Sequence, residues 1–301
     1  MVEVARARPL EEARAPGGLR VGVPMRLFLL VLRNPLGLAG LILVLALVVV
    51  GSLAPLIAPY GENEAAGIPF LGPNWGHLFG TDKFGRDILS RVIFGARISL
   101  AVGFLSVIGG TAAGTTIGIV SGYFGGWADN LIQRAGDTVM AFPGLILLLI
   151  IISVLGPSID NVVIVIGVGI VPGVSRVVRG AVLAEKQNQY IEAAQAIGAS
   201  SPRILFRHLA PNVMPLAIVI ATTLLGGAIL AEAALSFLGL GVPPPNPSWG
   251  ADVSLARNTF PIHVWWAFFP GLAIALTVLG FNFLGDALRD ILDPRLRGAT
   301  K

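Results

Sequence analysis

Six long stretches with almost no charge limit what this chain can fold into more than any other feature of its sequence. A helix needs roughly 20 mostly apolar residues to cross a bilayer, and the candidates are 36–58, 98–123, 138–159, 161–179, 209–231 and 263–285. The fourth stretch reaches position 179 only if its arginines extend toward the membrane surface. Only 13% of all residues are charged, against about 25% in soluble domains. We therefore predict an all-α membrane protein with six transmembrane helices.

Composition excludes several kinds of chemistry. The chain has no cysteine, so it forms no disulfide, thiolate nucleophile or cysteine-ligated metal site. Its histidines, His77, His208 and His263, are far apart and show no ligand spacing, and no phosphate-binding Gly-x4-Gly-Lys-Ser/Thr motif occurs. We expect no catalytic residue, no metal and no cofactor bound by this chain. The net charge is +4, and the basic residues lie between apolar segments. In these positions they indicate control of membrane topology and not nucleic-acid binding.

The distribution of basic residues predicts the orientation in the membrane. With the amino terminus inside, the two tails and the loops near 124–137 and 176–212 hold 16 of the 21 lysines and arginines. Cytoplasmic segments carry such an excess, so we predict that both termini are cytoplasmic. Residues 1–35 contain six arginines and no short apolar core before a cleavage site. This pattern indicates a cytoplasmic tail with an interfacial segment and not a cleaved signal peptide.

Small residues recur every four positions in the second predicted span, at Gly110, Gly114 and Gly118. This spacing lets two helix backbones approach closely. We predict that these glycines form a helix-packing face within a bundle, with pore lining as the alternative.

The connection between the fourth and fifth spans is the most informative segment. Tyr190, Ala193, Ala194 and Ile197 follow the i, i+3, i+4, i+7 spacing of an apolar helical stripe. Gly198 is a natural C-terminal stop for that helix. A connection of about 30 residues in a chain of shorter loops is usually functional.

A second short helix is predicted after the glycine. Ser201 is the expected N-cap and Pro202 the first helical residue, and the helix runs over 202–210 up to Pro211. The predicted loop therefore has two short helices with a glycine bend. Its exposed stripe suits docking into the groove of a partner protein, and it suits equally well packing on the ends of the spans.

One signature in this loop resembles a known family. Glu192-Ala193-Ala194, three further residues, Gly198 and then Pro211 resemble the EAA loop of binding-protein-dependent ABC importers. In that family the loop is a coupling helix that lies in a cleft of the ATP-binding subunit.

Further likeness points to one subgroup of that family. His208 stands where isoleucine is common and Ala210 where leucine is common, but the ending His208-Leu-Ala-Pro-Asn212 is similar to that of peptide permeases. Other segments resemble the C-type subunit of dipeptide and oligopeptide permeases, namely 79–100, 231–250 and 285–295. Together the likeness covers roughly residues 25–298.

The resemblance implies a division of the chain and a set of partners. We expect a cytoplasmic tail with an interfacial segment over 1–35, a first span and outer loop over 36–97, a permease core domain over 98–287 and a cytoplasmic tail over 288–301. The implied assembly is a heterodimer with a second permease in the lipid of the cytoplasmic (inner) membrane. Two separate ATP-binding subunits would use the ATP, and an extracytoplasmic substrate-binding protein would deliver the cargo.

The implied function is to form half of the translocation path for di- and oligopeptides. The resemblance also implies which residues couple this subunit to the ATPases, namely Tyr190, Glu192, Ala193, Ala194, Ile197, Gly198, Pro202 and Pro211. Import of a nickel chelate, glutathione or another small solute by the same architecture is the alternative. A secondary carrier driven by an ion gradient often has internal repeats and carboxylates near the membrane midplane, and neither is evident here.

Ionisable and polar side chains inside the spans are candidates for the translocation path, because such groups are costly in a membrane. Glu232, Thr222, Thr223 and Asn282 are the candidates, with a structural hydrogen bond as the alternative for each. Asp137 is predicted to be a charge at the amino end of the third span, where the helix dipole favours it.

Overall fold

The computed structural model describes residue 30, residue 32 and residues 34–292, so most of the predicted interfacial segment and most of both tails lie outside the described residues. Within this part of the chain the regular elements are helical, without a β-strand. The helices are α1 (Pro35–Ser52), α2 (Ala54–Ile57), α3 (Ile88–Phe124), α4 (Gly126–Met140), α5 (Gly144–Leu155), α6 (Ile159–Glu185), α7 (Gln189–Ala196), α8 (Ser201–Ile204), α9 (Ala210–Phe237), α10 (Trp249–Ala256) and α11 (Val264–Leu292).

Most of these helices meet the requirements for crossing a membrane. Five are long and apolar enough, namely α1, α3, α6, α11 and the continuous helix Ser201–Phe237 that contains α8 and α9. The pair α4 and α5 passes the same test as a broken span, which brings the number to six. The prediction of a multi-span helical membrane protein is therefore confirmed.

The third span differs from its prediction. Residues 138–159 were expected to form one helix, but α4 and α5 meet there at an angle of 94°. Pro143 occupies the N-cap of α5; proline cannot donate a backbone hydrogen bond, and it disfavours the helical conformation of the preceding Phe142. The chain therefore turns between Met140 and Gly144 and does not continue straight.

The second span begins well before the predicted position 98, at Ile88. The Asp87 carboxylate caps α3 by accepting the backbone N–H of Ser90 at 2.8 Å. Arg91 lies before the uncharged stretch from which the span was predicted, but its guanidinium is buried and donates to Asp252 at 2.8 Å. A paired charge of this kind is tolerated inside a helix bundle.

The contact between α3 and α6 forms the centre of the bundle. A Cβ placed on Gly110 would lie 2.6 Å from the carbonyl oxygen of Gly167, and one on Gly118 would lie 2.7 Å from that of Ser175. Gly114 has a neighbour at the same distance of 2.7 Å. Contact positions rise together along both helices, so α3 and α6 run parallel. The predicted packing role of these glycines is confirmed.

Because α3 and α6 run parallel, their last turns lie at the same end of the bundle. Their last turns lie beside α7 and α8, where Tyr123 donates to Ser201 at 3.2 Å and Lys186 donates to the Tyr123 carbonyl at 2.8 Å. We call this the coupling end. The first turns of α3 lie at the opposite end with α10 and the connection 59–87. Ser99 and Ser121 on α3 are separated by about 33 Å at 1.5 Å per residue.

The connection 59–87 is held in place by side chains at the opposite end. The Asp82 carboxylate accepts the backbone N–H groups of Phe84 and Arg86 at 2.7 and 3.0 Å, and it accepts the Arg86 Nε–H at 2.6 Å. His77 lies 3.0 Å from Asp87. This connection is therefore an ordered cap over the start of α3.

We expect Gly110→Ala to destabilise the protein by about 1–3 kcal/mol, because its methyl group has to displace the α6 backbone. The measurement is the thermal unfolding midpoint of the purified protein in detergent. Gly109→Ala is the matched control, since a Cβ at this adjacent position meets nothing within 4 Å. It should leave the midpoint unchanged or raise it slightly. Equal effects of the two substitutions would contradict the packing model.

Candidate functional site

Helix α7 presents two apolar faces at the coupling end. Ile191 is fully buried and packs in a cluster that includes Val178 and Val182, and Ala194 is nearly fully buried. Ala193 and Ile197 point outward, and Ile197 is 85% exposed. The predicted stripe is therefore divided: Ala194 turns inward, and its partner in the anchor is Ile191, which the sequence analysis did not select. Two overlapping sets of apolar residues fit a helical spacing in this segment, and packing against α6 determines which set is buried.

The outward face of α7 borders a groove of about 370 Å³. Its walls come from α7, the glycine bend and the start of the fifth span, and they are formed by Tyr190, Ala193, Ala194, Ile197, Ala199, Arg203 and His208. The lining combines apolar alanine and isoleucine side chains with the basic residues Arg203 and His208.

Gly198 ends α7, as the sequence indicated. Its φ is +77°, a left-handed conformation that glycine adopts without steric cost. The Gly198 N–H donates to the Gln195 carbonyl and the Ala199 N–H donates to the Ala194 carbonyl, each at 3.0 Å. These two bonds form a Schellman motif, which fixes the direction of the chain after α7.

The residues after the bend differ from the prediction. Ser200, and not Ser201, is the N-cap of α8, and no side-chain capping bond forms. The predicted separate helix over 202–210 is wrong, because α8 continues through a π-turn at Leu205–Leu209 into α9. The wider turn accommodates Pro211, whose ring would clash with the carbonyl four residues earlier in a regular helix. The loop therefore continues into the fifth span without a break.

Three side chains tie α7 to both neighbouring spans. Tyr190 donates its hydroxyl to the Glu185 carboxylate at the end of α6. Asn212, in the first turn of α9, donates to the Tyr190 hydroxyl at 2.7 Å and to Glu185 at 3.1 Å. Burial and the adjacent Glu185 carboxylate raise the pKa of Tyr190, so its hydroxyl remains a proton donor at neutral pH. We call Glu185, Tyr190 and Asn212 the Tyr190 clamp.

A second network joins α4 to α6 near the coupling end. Arg179 donates to both oxygens of Asp129 at 2.6 Å, and Asp129 also accepts the Ser121 hydroxyl. Gln133 donates to Ser121 at 3.1 Å. The paired geometry is the bidentate arrangement that makes arginine–carboxylate contacts strong. It fixes the amphipathic helix α4 against the end of the fourth span.

The interpretation of Asp137 is wrong. Asp137 lies in the last turn of α4 and not in the first turn of a span. A carboxylate is unfavourable at the carboxyl end of a helix, and this one is compensated by an ion pair with Arg176 on α6. Because the chain bends sharply at Pro143, Asp137 lies near the end of α4 and not at the start of a straight third span.

The predicted coupling residues come together in one region. Glu192 lies in the exposed first turn of α7, where the helix dipole favours a carboxylate. Pro202 and Pro211 lie in the first turns of α8 and α9. The assignment of these residues to ATPase contact stays a prediction.

The predicted translocation-path residues do not form one site. Glu232 is fully buried at the opposite end, where it accepts the hydroxyls of Ser99 at 2.9 Å, Ser236 at 2.8 Å and Ser248 at 3.0 Å. These bonds connect α9 with α3 and with the N-cap of α10. In this conformation Glu232 holds these three helices together through buried hydrogen bonds.

The other path candidates lie closer to the middle of the bundle. Thr222 and Thr223 donate to carbonyls one turn back in α9, at 2.8 and 2.9 Å, and Asn282 is exposed beside Gly226. Glu232 is about 15 Å farther along α9 than Thr222. Their part in transport stays a prediction.

Sequence reasoning missed several residues of the coupling end. Asn212 follows Pro211 within the recognised motif, so its position was available, but its contact with Tyr190 depends on how α9 returns beside α6. Asp129 and Arg179 border apolar stretches and could have been selected as a charge pair. Their pairing requires the bend of α4, which the spacing alone does not indicate.

The fold and the site together define a class of protein. The chain is a multi-span helical membrane subunit with a helical loop at one end that continues into the adjacent spans. This architecture is that of a membrane permease component.

Comparison with known proteins identifies the family. Residues 114–298 match the model of the "Binding-protein-dependent transport system inner membrane component" family, and residues 28–73 match the "N-terminal TM domain of oligopeptide transport permease C". The chain belongs to this family of inner-membrane permeases of ABC importers. It is a transport subunit of a type in which the ATPase is a separate protein.

Individual relatives cover nearly all of the chain. A dipeptide transport system permease protein of Alkalihalophilus pseudofirmus is 43% identical over 267 residues, which is 88% of each chain. A glutathione transport system permease protein of Pectobacterium atrosepticum is 43% identical over 268 residues, or 88% of this chain and 89% of the relative. One of the same name from Shigella boydii is 45% identical over 268 residues, or 88% of each chain.

We expect Asn212→Ala to loosen α7, because it removes the amide that joins Tyr190 to the start of α9. Loss of one or two hydrogen bonds corresponds to about 1–2 kcal/mol, so amide hydrogen exchange in 189–198 should accelerate about tenfold. Hydrogen exchange with mass spectrometry provides the measurement. Asn188→Ala is the matched control, since the Asn188 side chain makes no capping bond. Unchanged exchange in the Asn212 variant would show that the clamp does not restrain the loop.

Proposed function

We propose that this chain forms one half of the translocation path of an ABC importer for di- and oligopeptides. The single observation that carries the proposal is the structure of α7: a helix with an exposed apolar face, held against the bundle by Ile191 and joined through the bend at Gly198 to α8, which continues into the fifth span. Such a surface suits insertion into a groove of a partner. Movement of the partner would then reach α6 and α9 directly through the Tyr190 clamp.

The proposed assembly contains four kinds of protein. A second permease completes the path, two ATP-binding subunits bind at the coupling end and use the ATP, and a substrate-binding protein delivers the cargo at the opposite end. Family membership supports all three kinds of partner, because the family is that of binding-protein-dependent transport systems. This chain binds no cofactor of its own in the proposal.

The proposed orientation places the coupling end and both termini in the cytoplasm. The excess of lysine and arginine in the tails and in the two corresponding loops supports this orientation. The opposite end then faces outward, with the ordered connection 59–87 available to a delivery protein.

Cargo is inferred from the relatives. The dipeptide permease relative and the match to the oligopeptide permease C domain favour peptides. Glutathione is the second candidate, because the glutathione permease relatives are equally similar. Glutathione is itself a tripeptide, so both cargoes present amide groups and charged ends.

The test of the proposal is ATP-dependent uptake of a labelled dipeptide into vesicles that contain the co-expressed subunits. We expect Ile197→Asp to abolish uptake and to remove the ATPase subunits from the purified complex, because it introduces a charge into the apolar docking face. Ile262→Asp is the matched control for ATPase binding: Ile262 is 75% exposed but lies outside the coupling end, so its variant should retain the ATPase subunits.

Normal uptake by the Ile197→Asp variant would contradict the docking role of α7. Uptake of glutathione without uptake of dipeptide by the unmodified complex would replace the peptide proposal with the glutathione alternative.

A further inference from the structure

Arg97 differs from the other arginines on α3 and α6. Arg91, Arg176 and Arg179 each form an ion pair with an aspartate. The exposed Arg97 side chain makes no hydrogen bond, ion pair or ring contact with any residue that the structure describes. An arginine in a membrane-spanning helix is costly unless its charge is compensated. The charge of Arg97 is therefore free to bind a partner from outside the described residues.

The position of Arg97 along the bundle follows from α1. This helix has 18 residues, which is about 27 Å of helix and close to the thickness of the hydrocarbon core. Its end crosses α3 at Arg97, since a Cβ on Gly51 would lie 3.2 Å from the Arg97 backbone nitrogen. Arg97 thus lies at the level where the first span leaves the hydrocarbon core. The polar headgroup region of a bilayer begins at the boundary of the hydrocarbon core.

A groove of about 480 Å³ runs between α1 and α3 beside Arg97. Ser52 and Arg97 lie at the end of the groove nearest the membrane boundary, and Val48, Ala101 and Phe104 line it farther along. Ala101 and Phe104 are four and seven residues after Arg97, so all three share one face of α3. The groove combines a cation at the boundary with an apolar wall that leads toward the middle of the bilayer.

We propose that this groove is a phospholipid-binding site. The Arg97 guanidinium binds the phosphate diester through charge-assisted hydrogen bonds, and the Ser52 hydroxyl is placed to donate to the same headgroup. One acyl chain lies along Val48, Ala101 and Phe104. The phosphate of the lipid neutralises the Arg97 cation and its acyl chain covers the apolar wall. The dipole of α1 would stabilise the cation but would leave the apolar wall uncovered.

The experiment is native mass spectrometry of the full complex, purified in detergent with added phosphatidylglycerol. We expect Arg97→Gln to reduce the bound fraction of phosphatidylglycerol about tenfold, which is the effect of losing a charge-assisted contact. Ala101→Phe keeps the charge but fills the groove, and it should reduce binding similarly. Arg257→Gln is the matched control, since this exposed arginine lies at the same end of the bundle, and it should retain the lipid.

Two further probes separate the headgroup from the tails. Diacylglycerol lacks the phosphate and glycerol phosphate lacks the acyl chains, so each should bind much more weakly than phosphatidylglycerol. Equal binding of glycerol phosphate would overturn the proposal in favour of a soluble-phosphate site. Lipid retention by Arg97→Gln at the unmodified level would also overturn it. Loss of the second permease from that variant, with lipid retained, would assign Arg97 to a protein partner instead.

Discussion

The close contact of α3 with α6 is the constraint on which the rest of the structure depends. Three glycines let the backbones of two parallel helices approach to a separation that no side chain permits. Because the helices run parallel, their carboxyl ends meet at one end of the bundle, and Tyr123 lies there beside Lys186. Helix α7 is built on that platform, with Ile191 packed against the last turns of α6. Separation of α3 from α6 would remove the support of the loop.

Buried polar groups join the elements that this contact brings together. At the coupling end Arg179 holds Asp129 of α4, and at the opposite end three serine hydroxyls surround Glu232. Each carboxylate would be costly to bury without such partners. The arrangement leaves the middle of the bundle to apolar and small side chains. These contacts join neighbouring helices to one another at each end of the bundle, so the loop would move together with the fourth and fifth spans.

The sequence predicted what depends on local spacing, and it failed where long-range packing decides. Apolar stretches located the spans, and Gly198 was recognised as a helix stop because its chemistry is local. The bend at Pro143 was missed because a long apolar run was read as one helix, and this error misplaced Asp137. Ile191 and Asn212 were missed for a different reason: Ile191 acquires its role when α7 packs against α6, and Asn212 acquires its role when α9 returns beside α6. Contacts between segments distant in the sequence are not encoded in the periodicity of either segment.

Labelling of a single cysteine tests the central claim, that the loop containing α7 faces the cytoplasm and there transmits the motion of the ATPases. Since the chain contains no cysteine, Ala199→Cys introduces a unique thiol beside the groove. A membrane-impermeant maleimide should not label it in intact cells and should label it after permeabilisation, whereas Ile68→Cys, at a 71% exposed position of the opposite end, should react in intact cells. Labelling of the Cys at position 199 in sealed cells would contradict the account, because the loop would then be on the side of the membrane that lacks ATP.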